Sequence, residues 1–177
     1  MTLAARIEEI APGIGVSGSA TDRIAYARDL WPRHHLAVSA GRIAEHRPDL
    51  VVWPRSVEEV SAIVRLCAAE GVPLVPFGAG SGVCGGVLPD NRTVVLDLKK
   101  IANTRGIDRH TGVLDVGAGA LGIRLEEELL ASGFTLGHFP SSILCSTVGG
   151  WVAARSAGQC SGLYGKIEDM VVSLECV

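Results

Sequence analysis

The chain has 177 residues, and 16 Lys and Arg stand against 19 Asp and Glu for a net charge of -3, which excludes the basic face that a nucleic-acid surface needs. Hydrophobic residues make up 47% and charged residues 20%, enough for a packed core and too apolar for wholesale disorder. Glycine is the outlier at 22 residues, about 12% where roughly 7% is ordinary. It follows no Gly-X-Y period, so the surplus belongs where the backbone turns sharply or comes close to something.

Residues 1–46 read as a polar lead-in, with a helix near Leu3–Ile10 and a second around Asp22–Leu30. Acids at Glu8 and Glu9 stand where a signal peptide needs an apolar stretch. Leu50–Trp53 is a short apolar strand stopped by Pro54. Ser56 and Glu59 form a capping box in which each is expected to bond the other's amide. Val60, Ile63, Val64 and Cys67 follow at helical spacing, and Gly71 stops the helix. Pro73–Phe77 is a strand, 78–86 a glycine-rich loop and Thr93–Leu98 another strand. A second unit repeats the pattern: strand Val113–Val116, glycine turn 117–122, then a helix over Leu121–Ser132 ended by Gly133. That helix carries Leu121, Leu125 and Leu129 on one stripe and points Glu126, Glu127 and Glu128 mostly outward. Met170–Val177 is apolar and β-branched and reads as a strand. The order of elements gives an α+β fold class built of α/β lobes.

Five cysteines lack any Cys-x-x-Cys spacing, which leaves a zinc site or a disulfide framework without support and makes a reduced, cytoplasmic protein the simple reading. The run from Leu129 to Ala154 is free of charge, but Gly133, Gly137, Pro140, Ser141, Ser142, Ser146, Gly149 and Gly150 interrupt it. It is too polar for a bilayer helix, so no membrane span is expected. Such a run either lines a buried ligand or forms a buried turn with satisfied hydroxyls.

Two stretches match Gly-x-Gly-x-x-Gly. Gly80, Gly82 and Gly85 follow a strand but lead to another strand, whereas a dinucleotide fingerprint needs a helix there. Gly117, Gly119 and Gly122 do sit between strand and helix, yet no acidic residue follows at ribose distance, so a tight turn competes with an NAD-binding reading. Loop 78–86 has two readings, a nest of backbone N–H groups for an anion such as a pyrophosphate and a flexible hairpin loop.

Motifs in fixed order then carry a resemblance. Arg47-Pro-Asp-Leu-Val-Val-Trp-Pro through Val60, Pro76-Phe-Gly-Ala-Gly-Ser-Gly-Val83, Thr147-Val-Gly-Gly-Trp-Val-Ala-Ala-Arg-Ser-Ala-Gly158 and Tyr164-Gly-Lys-Ile-Glu-Asp-Met-Val171 resemble the FAD-binding domain of the vanillyl-alcohol oxidase / p-cresol methylhydroxylase flavoproteins. The segment Gly137-His-Phe-Pro-Ser-Ser, with the Trp151 and Tyr164 stretches, is most similar to alkylglycerone-phosphate synthases within that family.

The resemblance implies a lead-in at 1–46, a first FAD-binding lobe at 47–105 and a second at 106–177, with FAD between the lobes. Phe77, Gly78, Ala79, Gly80, Ser81, Gly82 and Val83 would wrap its pyrophosphate. Pro140, Ser141, Ser142 and Ser146 would continue along it. Thr147, Gly149, Gly150, Ala154, Arg155 and Ser156 would approach the flavin and ribityl chain, joined by Tyr164 and Gly165. Ser81 stands where some members tether FAD through His, which excludes that bond. Cys145 stands where others use Cys, though a small buried packing residue is its plainer reading, so non-covalent FAD is expected.

Family members continue into a cap domain that carries substrate contacts and acid–base groups, and the end of this chain inside an apolar run reads as a truncation. No catalytic residue and no metal ligand is therefore assigned. His138 stands beside the cofactor segment, either as a base or as a hydrogen-bonded turn residue. The implied reaction is hydride transfer from a small hydroxy acid to flavin N5, the substrate being a small molecule met through the missing cap. Two alternatives stand beside it: a synthase-like flavoenzyme without net redox, and a non-catalytic fragment that binds FAD weakly. A homodimer is left open.

Overall fold

The computed structural model describes residues 1–42 and 46–177. The chain divides into two compact units, Met1–Lys100 (with Val177) and Ile101–Cys176. Helices and sheets are mixed in an α+β fold, and among the described residues no helix is long and apolar enough to cross a membrane.

In the first unit, β1 (Gly15–Ser17), β2 (Leu50–Trp53), β3 (Leu74–Phe77) and β4 (Val94–Asp97) form a sheet in the order β1-β2-β4-β3. β2, β4 and β3 run parallel, and β1 closes one edge antiparallel to β2. The parallel strands are covered on both faces, which is why they read as unbroken apolar runs. On one face Val52, Val94 and Leu96 meet Ile63 and Cys67 of α4 (Val57–Glu70) and Ile7 of α1 (Leu3–Ile10), with Ala11 and Ile14. On the other, Val51, Val95 and Phe77 meet Tyr26, Trp53, Val75 and Val87. The lead-in thus supplies core to both faces.

α2 (Ala20–Ala25) is capped by Ser19 and is shorter than the helix expected over Asp22–Leu30. Tyr26 is drawn instead to the sheet, where its hydroxyl donates to Asp97 and accepts from the Trp53 indole at 3.0 Å. Burial, with Asp97 alongside, holds this phenol well above its usual pKa. Pro32 keeps Trp31 extended and opens α3 (Pro32–Ser39), a helix absent from the sequence reading. Ser56 caps α4 as expected, accepting from the Glu59 amide at 3.3 Å. The reciprocal half of the box is not formed: the Glu59 carboxylate takes the Arg55 amide and guanidinium, each at 2.7 Å, because a charge-assisted pair outcompetes a neutral amide.

β3 and β4 are parallel neighbours, so loop 78–86 is part of a crossover and the hairpin reading falls.

In the second unit β5 (Thr104–Ile107), which periodicity did not disclose, pairs antiparallel with β6 (Leu114–Val116). An antiparallel pair there is incompatible with a dinucleotide-type parallel βαβ at glycines 117–122. α5 (Gly122–Ala131) follows, then three short helices, α6 (Val148–Ala153), α7 (Ser161–Tyr164) and α8 (Ile167–Met170). The strand expected over Met170–Val177 is not formed. Met170 closes α8, residues 171–177 pair with no described strand, and Val172, Leu174 and Val177 are exposed. β propensity without a partner edge does not make a strand.

Glu126 corrects another expectation. It is 4% exposed, and its carboxylate accepts from the Thr135 hydroxyl and from the Leu136 amide at 3.2 Å, tying the end of α5 to the chain that follows. Glu127 points outward to Arg124. Glu126→Ala is expected to lower the unfolding free energy by about 1–3 kcal/mol, because it strands buried donors. Glu127→Ala should change it by no more than about 0.5 kcal/mol. Denaturant titration of both variants checks the contrast.

Candidate functional site

Phe77 ends β3 with its ring buried, and the chain leaves the sheet at Gly78. The Gly78 carbonyl accepts from Lys99 Nζ at 2.8 Å; the same ammonium donates to Asp97 at 2.6 Å and stands over the rings of Phe77 and Tyr26. Further along, the carbonyls of Gly80 and Gly82 both accept from the Leu30 amide, at 3.2 and 2.9 Å. Among the described residues every peptide bond is trans, so each N–H points opposite to the carbonyl of its own peptide plane. The amides of Ser81 and Val83 therefore face away from the lead-in, and that of Ala79 faces away from Lys99. Among the described residues, none of the amides from Ala79 to Cys84 has a hydrogen-bond partner. Gly80 holds φ +67°, and a Cβ there would stand 2.7 Å from the Phe77 ring, so only glycine makes this bend. The result is three amides, of Ala79, Ser81 and Val83, turned away from the groups that hold their carbonyls, the kind of donor set that a nest for an anion uses.

The second unit is built by backbone contact. Around Thr147 the chain locks onto the turn before α5: Gly122 N–H donates to Ser146 O at 3.0 Å, Val148 N–H to Ala120 O at 3.0 Å and Gly149 N–H to Ala118 O at 2.8 Å. A Cβ on Gly149 would lie 2.7 Å from the Ala118 methyl, so the approach needs a residue without one. Ser146 and Thr147 are buried, and their hydroxyl oxygens accept from the Trp151 indole at 2.7 Å and the Gly150 amide at 3.3 Å. These hydroxyls hold the segment together, as a buried turn with satisfied hydroxyls would. Pro140 is buried, Ser142 half-buried and Ser141 exposed, and Gly150 and Ala154 are exposed. Arg155, at φ +51°, forms a two-bonded ion pair with Glu168 at 2.8 and 3.0 Å. That pair holds the Glu168 carboxyl below its usual range. Tyr164, 49% exposed, lays its ring over Gly137, and Gly165 turns the chain at φ +86°. Cys145 lies on the surface in the 3-10 turn Ile143–Cys145, so its reading as a buried packing residue is corrected.

His138 is 1% exposed, packed edge-on against Trp151, with Nε2 3.2 Å from Ser156 Oγ. Among the described residues its Nδ1 has no hydrogen-bond partner. Burial lowers its pKa. Among the described residues no group of three or more His, Cys, Asp and Glu is placed to hold a metal ion.

Two residues that bear on the glycine loop escaped the sequence reading. Asp29 is 2% exposed, and its carboxylate accepts from Gly85 N–H at 2.7 Å. Lys99 binds the loop's first carbonyl. Nothing local marks either one: Asp29 lies 56 residues before its partner and Lys99 lies 21 after its own.

The family described as "FAD binding domain" matches residues 48–177. Alkyldihydroxyacetonephosphate synthase of Trypanosoma brucei brucei is 37% identical over 155 residues, 85% of this chain and 24% of that protein. Glycolate oxidase subunit GlcD of Bacillus subtilis (strain 168) is 30% identical, over 88% of this chain and 31% of that protein. The chain therefore spans about a quarter to a third of the length of these curated relatives. A solved alkyldihydroxyacetonephosphate synthase superposes with a TM-score of 0.88 at 31% identity, covering 97% of this chain and 34% of that one. p-Cresol methylhydroxylase shares the fold, with a TM-score of 0.69 at 18% identity, over 86% of this chain and 28% of its own.

His138 supplies a pH dependence. Its folded-state pKa lies below the roughly 6.5 of the unfolded chain. Over the window between the two values the unfolded state binds more protons, so this contribution to stability is complete above about pH 6.5 and is lost as pH falls toward the folded value. Melting temperatures at a series of pH values between about 7.5 and 5 should fall more steeply in the wild type than in His138→Gln. Parallel curves would contradict this.

Proposed function

The chain belongs to the FAD binding domain family, and on that premise we propose that it is the cofactor-holding part of a flavin-dependent oxidoreductase acting on a small hydroxy acid. The observation that carries the reading is the set of amides of Ala79, Ser81 and Val83, which face away from the donors to their carbonyls and have no hydrogen-bond partner among the described residues. They are the donor set a pyrophosphate needs: several N–H groups, no competing side chain and a shape held from behind. The structure thus fits FAD by its chemistry as well as by kinship.

Each unit has its own part in the reading. Phe77 and residues 78–83 bind and orient the pyrophosphate. Pro140, Ser141, Ser142 and Ser146 follow its course. The backbone of Thr147, Gly149 and Gly150, with Ala154, Ser156, Tyr164 and Gly165, borders the flavin and ribityl chain. Arg155 sets the local charge only as half of its pair with Glu168. Because 129–154 carries no charged side chain, it excludes water from an apolar ring without placing an ion beside it. Bound FAD supplies a hydride acceptor at flavin N5, while the protein supplies orientation and electrostatics. With Ser81 where some members tether FAD through His, FAD is held without a covalent bond in this reading.

A second reading is favoured by a specific observation. The alkyldihydroxyacetonephosphate synthases match at 37% identity, above the 30% of the glycolate oxidase subunit. In that reading the flavin serves an exchange of acyl for alkyl on a dihydroxyacetone phosphate, without net redox. Both readings need the same cofactor-holding domain.

The full gene product, loaded with FAD and mixed anaerobically with D-lactate or glycolate, should lose the flavin's visible absorption band under the first reading. An oxidised flavin unaffected by any 2-hydroxy acid, together with formation of an alkyl product from an acyl dihydroxyacetone phosphate and a long-chain alcohol, would move the assignment to the second. A protein that neither retains nor rebinds FAD would defeat both.

A further inference from the structure

The glycine loop does not shape itself. Residues 26–34 of the lead-in, upstream of the matched domain at 48–177, run along its inner side. Leu30 N–H holds the Gly80 and Gly82 carbonyls, and the Trp31 ring lies against Gly85, where a Cβ would stand 3.3 Å from it. Asp29 sits at the centre. Its side chain is 0% exposed. One carboxylate oxygen accepts from Gly85 N–H at 2.7 Å; the other accepts from Trp31 N–H at 3.0 Å and stands 3.1 Å from His34 Nδ1. No part of this carboxylate can reach a substrate or a solvent-side ligand.

We propose that Asp29 is a positioning residue for FAD: its buried carboxylate fixes loop 78–86 from behind in the shape whose outward amides receive the pyrophosphate. The inference rests on the reading of that loop as the pyrophosphate site and adds to it a residue outside the family's matched stretch. The chemistry asks for a carboxylate in particular. Both oxygens face N–H donors, and a carboxylate is an acceptor at both ends, whereas an amide of the same shape must present an NH₂ group to one of those donors. A negative charge beneath an anion site looks adverse. Its place is explained by the direction of the donors, since it takes the amide of Gly85 while those of Ala79, Ser81 and Val83 face away from the lysine and the lead-in that hold their carbonyls. Hydrogen bonds to an ionised acceptor are also the stronger kind, which suits a loop rich in glycine that would otherwise sample many shapes.

The decisive variant is Asp29→Asn in the full gene product stripped of flavin. FAD affinity is read by quenching of flavin fluorescence. If the carboxylate positions the loop, affinity should fall by about tenfold or more, and hydrogen exchange at amides 79–85 of the apoprotein should accelerate while β2 and β4 stay protected. If the carboxylate is merely a charge near the anion, its removal should leave affinity unchanged or raise it, and the proposal is overturned. Ile63→Val serves as the control for stability: it should lower the melting temperature yet leave FAD affinity within about twofold. A loss of affinity equal to that of Asp29→Asn in this control would reduce Asp29 to a general stabiliser. Should Asp29→Asn fail to fold, the wild-type apoprotein still decides, because Gly85 N–H must be protected before FAD is added and the amides of Ser81 and Val83 only afterwards. An exposed Gly85 amide rejects the inference. A wild type that does not bind FAD rejects the reading of the loop itself, and one that binds while Asp29→Asn binds equally well rejects only the role of Asp29.

Discussion

Two parallel strands lie side by side with no helix between them, and the rest of the first unit follows from that constraint. After β3 the chain must travel back the full length of the sheet before it can enter β4 in the same direction. It makes this return over the surface as residues 78–93. A return path of that kind has no ladder to satisfy its amides. Leu30 N–H and the Lys99 ammonium donate to its carbonyls and Asp29 accepts from the Gly85 amide, while among the described residues the amides from Ala79 to Cys84 have no partner. The proposed pyrophosphate site would thus result from how the connection is closed.

The second unit solves the same problem by a different route. Here the backbone is satisfied by the backbone: the entry to α6 pairs with the turn before α5 at Leu121 and Thr147. Methyl-sized gaps decide how close the strands of chain come, which is why small residues cluster at 117–122 and 146–150. Trp151 fills the space beneath and is itself anchored by Ser146 and His138. The hydroxyls of Ser146 and Thr147 are used here as internal struts.

Legibility in the sequence tracks the range of the interaction. β2, α1 and the body of α4 were readable because apolar spacing and caps are local signals, and the bend at 78–86 was readable because glycines mark a bend wherever it occurs. Glu126 was misread because three acids in a row look solvent-facing until Thr135 and Leu136 fold back onto the first of them. The end of the chain was misread because β-branched residues report propensity, while a strand also requires a neighbour. β1 and β5 are too short to show a period of their own. Asp29 was silent for the deepest reason: its value lies in an amide 56 residues away, and no local pattern distinguishes it from a surface acid.

If the proposed site is made of backbone donors, the cofactor would be held independently of the side chains that choose a substrate. Side chains at Ala79, Ser81 and Val83 point where they please while their amides keep their direction, since direction is set by the peptide planes and by what holds the opposite carbonyls. The residues that matter are then the ones behind the loop: Phe77 beneath Gly80, Lys99 at Gly78, and Asp29 with Leu30 on the lead-in. Such a domain presents the same cofactor to whatever substrate-selecting surface it is joined to. The kinship with both a synthase and a glycolate oxidase subunit follows from that separation of cofactor holding from substrate choice.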